Sequence, residues 1–193
     1  MIRGVTDLTI QRPPAPRPLD LVEAFINSAD LETGSDELAT PSGLRRWLLQ
    51  RQLIKRAELV SEHDRSEAIR LREALRRAAL ANNGTAVDRR TIRELNQLAR
   101  DAGVVIAFGE DGSPRLDPSV RGVDAGLARI LAAVLVAKLT GQWTRLKSCA
   151  SATCHWAFYD ASKNRSGRWC DMTDCGNAAK GRAYRARRRS SVG

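Results

Sequence analysis

The sequence predicts a mainly α protein: a helical body interrupted by one short β-hairpin, then a small cysteine-bearing module that ends in a basic helix. Three observations predict it. Apolar residues recur at three- and four-residue steps, between capping residues, over much of 40–141. All four cysteines fall in the last 45 residues, as two Cys-x4-Cys pairs. The formal charge of +10 sits at the same end: residues 142–193 hold eleven Lys/Arg and three Asp, against 21 basic and 19 acidic side chains before them. Such asymmetry suggests a basic module that meets a polyanion, attached to a near-neutral body.

A chain of 193 residues suits one ordinary domain plus an appendage. The longest apolar run, 130–137, is eight residues, well short of the ~18 that suggest a membrane span. Met1, Ile2 and Arg3 lead into polar residues and prolines rather than the apolar core of a secretion signal. A soluble, cytoplasmic protein is expected. The expected division is an extended segment 1–18, a helical domain 19–141, a cysteine module 142–189 and a disordered tail 190–193.

Taken in order, Pro13, Pro14, Pro16 and Pro18 forbid a regular helix at the start. Residues 19–28 (Leu19, Leu21, Val22, Phe25, Ile26) are apolar but fit helix or strand. A small, acidic loop follows through Gly34, Ser35 and Asp36. Thr40 and Pro41 supply a cap and a first helical residue for a helix through Leu44, Trp47 and Leu48, extending toward Ile54. A second helix spans about 61–82, with Ile69, Leu71, Leu75 and Ala79 on one face, stopped by Asn82-Asn83-Gly84. Asp88 caps a third, with Ile92, Leu95, Leu98 and Ala99 expected inward. Residues 104–108 and 115–116, around Gly109 to Gly112, read as the hairpin. The most apolar helix, about 124–140, should be central, with Leu127, Ile130, Leu131, Val134, Leu135 and Leu139 buried, ending at Gly141.

Cys149 and Cys154 are separated by four residues, as are Cys170 and Cys175, with fifteen between the pairs. Each pair can form a tight loop, and the spacer lets the loops face each other across one ion. So short a segment with few large apolar side chains cannot hold itself by burial, whereas ligation free energy becomes folding free energy. One structural zinc ion is the expected cofactor, bound by Cys149, Cys154, Cys170 and Cys175. Two disulfides would need an oxidising compartment, and an iron–sulfur cluster uses the same ligands, which spacing alone does not exclude. His155 is not needed as a ligand.

Six of the nine aromatic residues surround these pairs: Trp143, Trp156, Phe158, Tyr159, Trp169 and Tyr184. Trp156, Phe158 and Trp169 are expected to form a small core around the metal rather than base-stacking platforms. A strand is expected over 155–160 and a basic loop over 162–168. From about Thr173 a helix should carry Cys175 near its start and cations along its length. Lys163, Arg165, Arg168, Lys180, Arg182, Arg185, Arg187, Arg188 and Arg189 are the candidate nucleic-acid contacts. Such a helix repels itself unless phosphates neutralise it. About six phosphate contacts would give log affinity against log salt a slope near −5.

The run Cys149…Cys154-His155-Trp156-Ala157-Phe158-Tyr159-Asp160…Arg168-Trp169-Cys170…Cys175-Gly176-Asn177…Lys180…Tyr184…Arg187 resembles the CGNR-type zinc finger. Ala178 stands where the Cys-Gly-Asn-Arg tetrad has its arginine. The body, with Leu19-Asp20, Trp47-Leu48, 71–75 and Leu95-Asn96, resembles the ABATE domain of bacterial stress-induced transcription regulators. The resemblance implies zinc, binding to duplex DNA and transcriptional control.

The expected function is therefore a zinc-dependent DNA-binding transcription regulator, with the helix after Cys175 against duplex DNA and the body dimerising, sensing a signal, or both. An RNA-binding or ribosome-associated protein is the alternative, and a protein-interaction module a third. An enzyme is not expected. The two histidines, His63 and His155, have no nucleophile partner in the sequence. A four-thiolate site leaves no open coordination position, and the acidic turn at 109–112 does not suit phosphate.

Overall fold

The computed structural model describes residues 12–181. Pro13 to Pro16 are irregular, and α1 (Leu19–Ile26) follows, its first amides donating to the Pro16 carbonyl. Leu19, Val22, Phe25 and Ile26 are buried on one helical face, which settles the ambiguous segment as helix. The next loop closes into a hairpin of two-residue strands, β1 (Ala29–Asp30) and β2 (Ser35–Asp36), too short to leave any alternation in the sequence.

In α2 (Pro41–Gln50) the Thr40 hydroxyl accepts from the Gly43 amide, and Leu44, Trp47 and Leu48 are buried. The helix stops at Gln50, short of Ile54, which is buried from the following loop. The Trp47 ring packs 5.2 Å from that of Phe25, tilted by 57°. α3 (Glu62–Ala81) opens with a reciprocal capping box between Ser61 and Asp64. Its buried seam is Ala68, Leu71, Leu75 and Ala79, with Ile69 half-buried.

α4 (Arg89–Asp101) is capped by Asp88, whose carboxylate accepts from the Thr91 amide and hydroxyl. The expected inward face holds except at Ile92. Thr91 also accepts from Arg77 Nε at 2.9 Å and is fully buried, which turns Ile92 outward to 44% exposure. Leu98 is buried, and Leu95 packs partly against the core.

β3 (Val104–Phe108) and β4 (Pro114–Pro118) form the expected antiparallel hairpin, with Ile106 opposite Leu116. α5 (Gly122–Leu139) packs against α1, α3 and α4 and against the hairpin. Leu127 and Ile130 enter the core, but Leu135 and Leu139, expected inside, are 43% and 77% exposed. A helix apolar on every side has no neighbour on one of them. Its sequence could not say which.

A 3₁₀ turn (Trp143–Arg145) leads into β5 (Leu146–Ser148), paired antiparallel with β6 (Ala157–Tyr159). Leu146 and Ala157 belong to the same buried cluster as Leu19, Phe25, Leu71 and Leu75. The module thus sits on the body's core. A second cluster joins the four cysteines to Phe158, with Trp156 and Trp169 packed against it, as expected of a small core around a metal. No helix among the described residues is long and apolar enough to cross a membrane.

Candidate metal centre and its basic rim

The β5–β6 hairpin positions the first cysteine pair. Cys149 directly follows β5, and its amide donates to the Trp156 carbonyl at 2.8 Å, closing the loop that holds Cys154. His155 takes a left-handed conformation (φ 49°), and its Nδ1 lies 3.1 Å from the Cys149 carbonyl oxygen, outside the sulfur cluster. The Ala150 amide donates to the Arg168 carbonyl at 2.8 Å, drawing the second pair alongside the first. Cys175 lies in a π-helical turn (Met172–Gly176) started by Asp171, whose carboxylate accepts from the Thr173 amide at 2.6 Å. Helical residues 177–181 continue from it, so Cys175 does lie at a helix start.

All four sulfurs lie within 4.8 Å of one another, and all four cysteines are buried. Cys154 and Cys170 are 3.6 Å apart at sulfur, Cys170 and Cys175 3.9 Å. Four Zn–S bonds of about 2.3 Å in a tetrahedron place sulfurs about 3.8 Å apart; a disulfide would need about 2.05 Å. Protonation chemistry points the same way. Hydrogen bonds from Cys154 and Cys170 draw Cys149 down to about 2. Donating to Cys149 pushes Cys154 and Cys170 up, and burial pushes Cys175 up to about 12. Four such sulfurs cannot ionise together unless a cation shares them. The donor set fits one structural zinc ion.

Side chains that sequence reasoning missed fasten this module to the body. The Asn27 side chain, just beyond α1, donates to the Ala157 carbonyl and accepts from its amide, at 2.9 and 2.7 Å. Asn82 donates to the Trp143 and Leu146 carbonyls, and Asn83 to that of Ser148. Arg76, buried in α3, donates to the carbonyls of Ile26 at 2.7 Å and His155 at 3.2 Å, and its own carbonyl accepts from the Ser148 hydroxyl. Long-range side chain-to-backbone contacts leave no periodic signal; of these residues the sequence marks only Asn82 and Asn83, as a helix stop.

A second hub organises the basic loop. The fully buried Asp160 carboxylate accepts from Lys147 Nζ at 2.9 Å and from the amides of Gly167 at 2.7 Å and Ser162 at 3.1 Å. Burial opposes its ionisation, but hydrogen bonds from Ser162, Lys147 and Gly167 outweigh that and hold it at about 2. A Cβ at Gly167 would stand 2.9 Å from this carboxylate and would displace it from its partners. Lys147 also donates to the carbonyls of Arg165 and Gly167. Although it lies amid the module's cations, it is buried and its charge faces inward. Arg12 covers the hub, 3.6 Å from Asp160, its guanidinium 4.4 Å from the Phe158 ring centre, with Nε donating to the Cys170 carbonyl.

Of the candidate nucleic-acid contacts, Lys163, Arg165, Arg168 and Lys180 are exposed. No ion pair engages their side chains among the described residues. Arg182, Arg185, Arg187, Arg188 and Arg189 lie outside the described residues.

Comparison with protein families finds the CGNR zinc finger over residues 145–188. It also finds, over residues 18–142, the ABATE family, described as "Putative stress-induced transcription regulator". Neither description names a catalytic activity. A comparison with curated proteins finds no match. The ABATE match covers most of the chain, and the chain belongs to that family, carrying a CGNR zinc finger at its C-terminal end.

Proposed function

We propose that this protein is a zinc-dependent DNA-binding regulator of transcription, acting in the cytoplasm of a bacterial cell. In this reading the metal module grips the phosphate backbone and groove of duplex DNA. The observation that carries it is the contrast between two sets of cations on one small module. Lys147 is buried and neutralised by Asp160, whereas Lys163, Arg165, Arg168 and Lys180 are exposed and, among the described residues, have no carboxylate partner. Unneutralised cations on a loop pinned from beneath suit a polyanion.

Zinc held by four thiolates supplies a cross-link and no open coordination position. The chain does the rest. Asp160 fixes the loop 162–168, and Asp171 starts the turn from which the basic C-terminal residues extend, with Arg182, Arg185 and Arg188 the candidates for groove or backbone contact. The helical body serves pairing or signal sensing. Pairing is supported by the uncovered stripe Leu135, Val136 and Leu139 on α5.

Salt titration of a gel-shift with zinc-loaded protein tests the proposal. Selective binding to particular duplexes, with a slope near −5, is the expected result. Binding that is tight only at low salt and indifferent to sequence would overturn the regulator claim.

A further inference from the structure

We propose that α4 of the body is a second DNA-backbone contact, with Arg89, Arg90, Arg93 and Arg100 as its phosphate ligands. The inference rests on the duplex-DNA reading of the metal module and adds a surface that the sequence treated as part of a near-neutral body.

The four arginines are exposed and recur at three-, four- and seven-residue steps, which places them along one side of a helix. From Arg89 to Arg100 that side runs about 16 Å. Arg90, Arg93 and Arg100 line a shallow groove of about 670 Å³ together with Arg70, Glu94 and Gln97. The acidic residues of the helix are already engaged. Glu94 turns inward to Arg77 at 2.6 Å and Arg70 at 3.4 Å. Asp88 holds Thr91, and Asp101 accepts from Gln97. Arg89, Arg90 and Arg93 have no ion pair or side-chain hydrogen bond among the described residues. Near-neutral composition therefore hides a local cationic face: α4 carries four arginines against Glu94 and Asp101, and Glu94 is taken up by Arg77 and Arg70.

Helix stability accounts only for Arg100, which lies in the last turn, where the dipole favours a cation, and donates to Gln97. Arg89 and Arg90 occupy the first turn of α4, where the helix dipole disfavours positive charge. Ion pairing does not account for the face. A phosphate polymer would satisfy all four groups, and arginine's planar fork suits phosphate oxygens.

The start of α4 follows closely on the end of α3 that holds the module. Asn83 holds Ser148, next to Cys149, and Arg89 lies six positions along the chain from Asn83, a reach of at most about 20 Å. In this proposal one duplex meets both surfaces.

The test uses the full-length zinc-loaded protein and a labelled duplex. The variant R89Q/R90Q/R93Q should keep its zinc and its thermal stability, since its charges face solvent and oppose the dipole. Its log–log salt slope should become shallower by about 2.7, with affinity at physiological salt down by tenfold or more. A charge-matched control, R46Q/K55Q/R56Q, removes exposed cations from α2 and the loop after it, and should leave the slope unchanged. If the wild type binds and the α4 variant keeps the full slope, or the control loses as much, the α4 contact is wrong while the module reading stands. If K163Q/R165Q/R168Q binds as wild type while the α4 variant does not, the α4 contact is supported and the module reading falls. Wild-type protein that ignores duplex DNA but binds a folded RNA overturns both.

Discussion

The side-chain amide of Asn27 meets the backbone of Ala157, 130 residues away, as a strand neighbour would: it donates at 2.9 Å and accepts at 2.7 Å. β6 pairs with β5 on one edge, and Asn27 serves its other edge. Replacing Asn27 with alanine leaves the Ala157 amide and carbonyl without these partners against the shared core. A buried unsatisfied group costs about 1–3 kcal/mol. Asn27→Ala should therefore lower the stability of the whole zinc-loaded chain by that order. Aspartate restores the acceptor but not the donor and should recover only part. Urea unfolding with matched slopes measures both.

The cross-linked position of the module sets a second expectation. Cys170→Ser removes one of four sulfurs that lie within 4.8 Å, and bound zinc should fall from one per chain to near none in a chelator titration. The body's helices should persist by circular dichroism. Body stability should nevertheless drop, because Leu146 and Ala157 share the core of α1 and α3. A variant that keeps stoichiometric zinc refutes the four-thiolate assignment.

The sequence made the cysteine site, the helix caps and the hairpin 104–118 legible, because each leaves a local signature: fixed spacing, a capping residue, a glycine-centred turn. It could not reveal that Arg72 and Arg76 are buried in α3. Their partners, Asp36 with Arg72, Ile26 and His155 with Arg76, lie 36 to 79 residues away. Nor could it show that Lys147 is buried, its ammonium taken up by Asp160 and the carbonyls of Arg165 and Gly167, while Lys163 is exposed. The exposed side of α5 differs from the sequence expectation for a related reason: periodicity finds an apolar face but cannot count the neighbours available to cover it.

Asp160 gives a pH expectation with a definite sign. Its carboxyl is held at about 2, below the ordinary carboxylate range. Its stabilising contribution is therefore complete above the unfolded value of about 3.9 and is lost as pH falls through about 2. Asp160→Asn should be destabilising by about 3–5 kcal/mol, since Lys147 is left charged and buried without its partner. The deficit relative to wild type should stay constant from pH 5 to 8. Paired removal in D160N/K147M should cost less than D160N alone. A deficit that changes steeply between pH 5 and 8 would show that some other group carries the effect.

Arg76 couples the two halves most directly, since one guanidinium donates to the end of α1 and to the His155 carbonyl beside Cys154. Its charge is balanced by Glu73, 3.0 Å away. Arg76→Lys keeps that charge but cannot reach several carbonyls at once from a single ammonium. The loop carrying Cys154 should then be held less firmly, and zinc release to a chelator should quicken by 10- to 100-fold, the range seen when groups that orient metal ligands are lost. The thermal transition of the body should move much less than in Arg76→Met, which also removes one of the two arginines paired with Glu73. If release is unchanged in the lysine variant, Arg76 holds the body together without steadying the metal loop. Any signal received by α1 and α3 would then need another route to the basic rim.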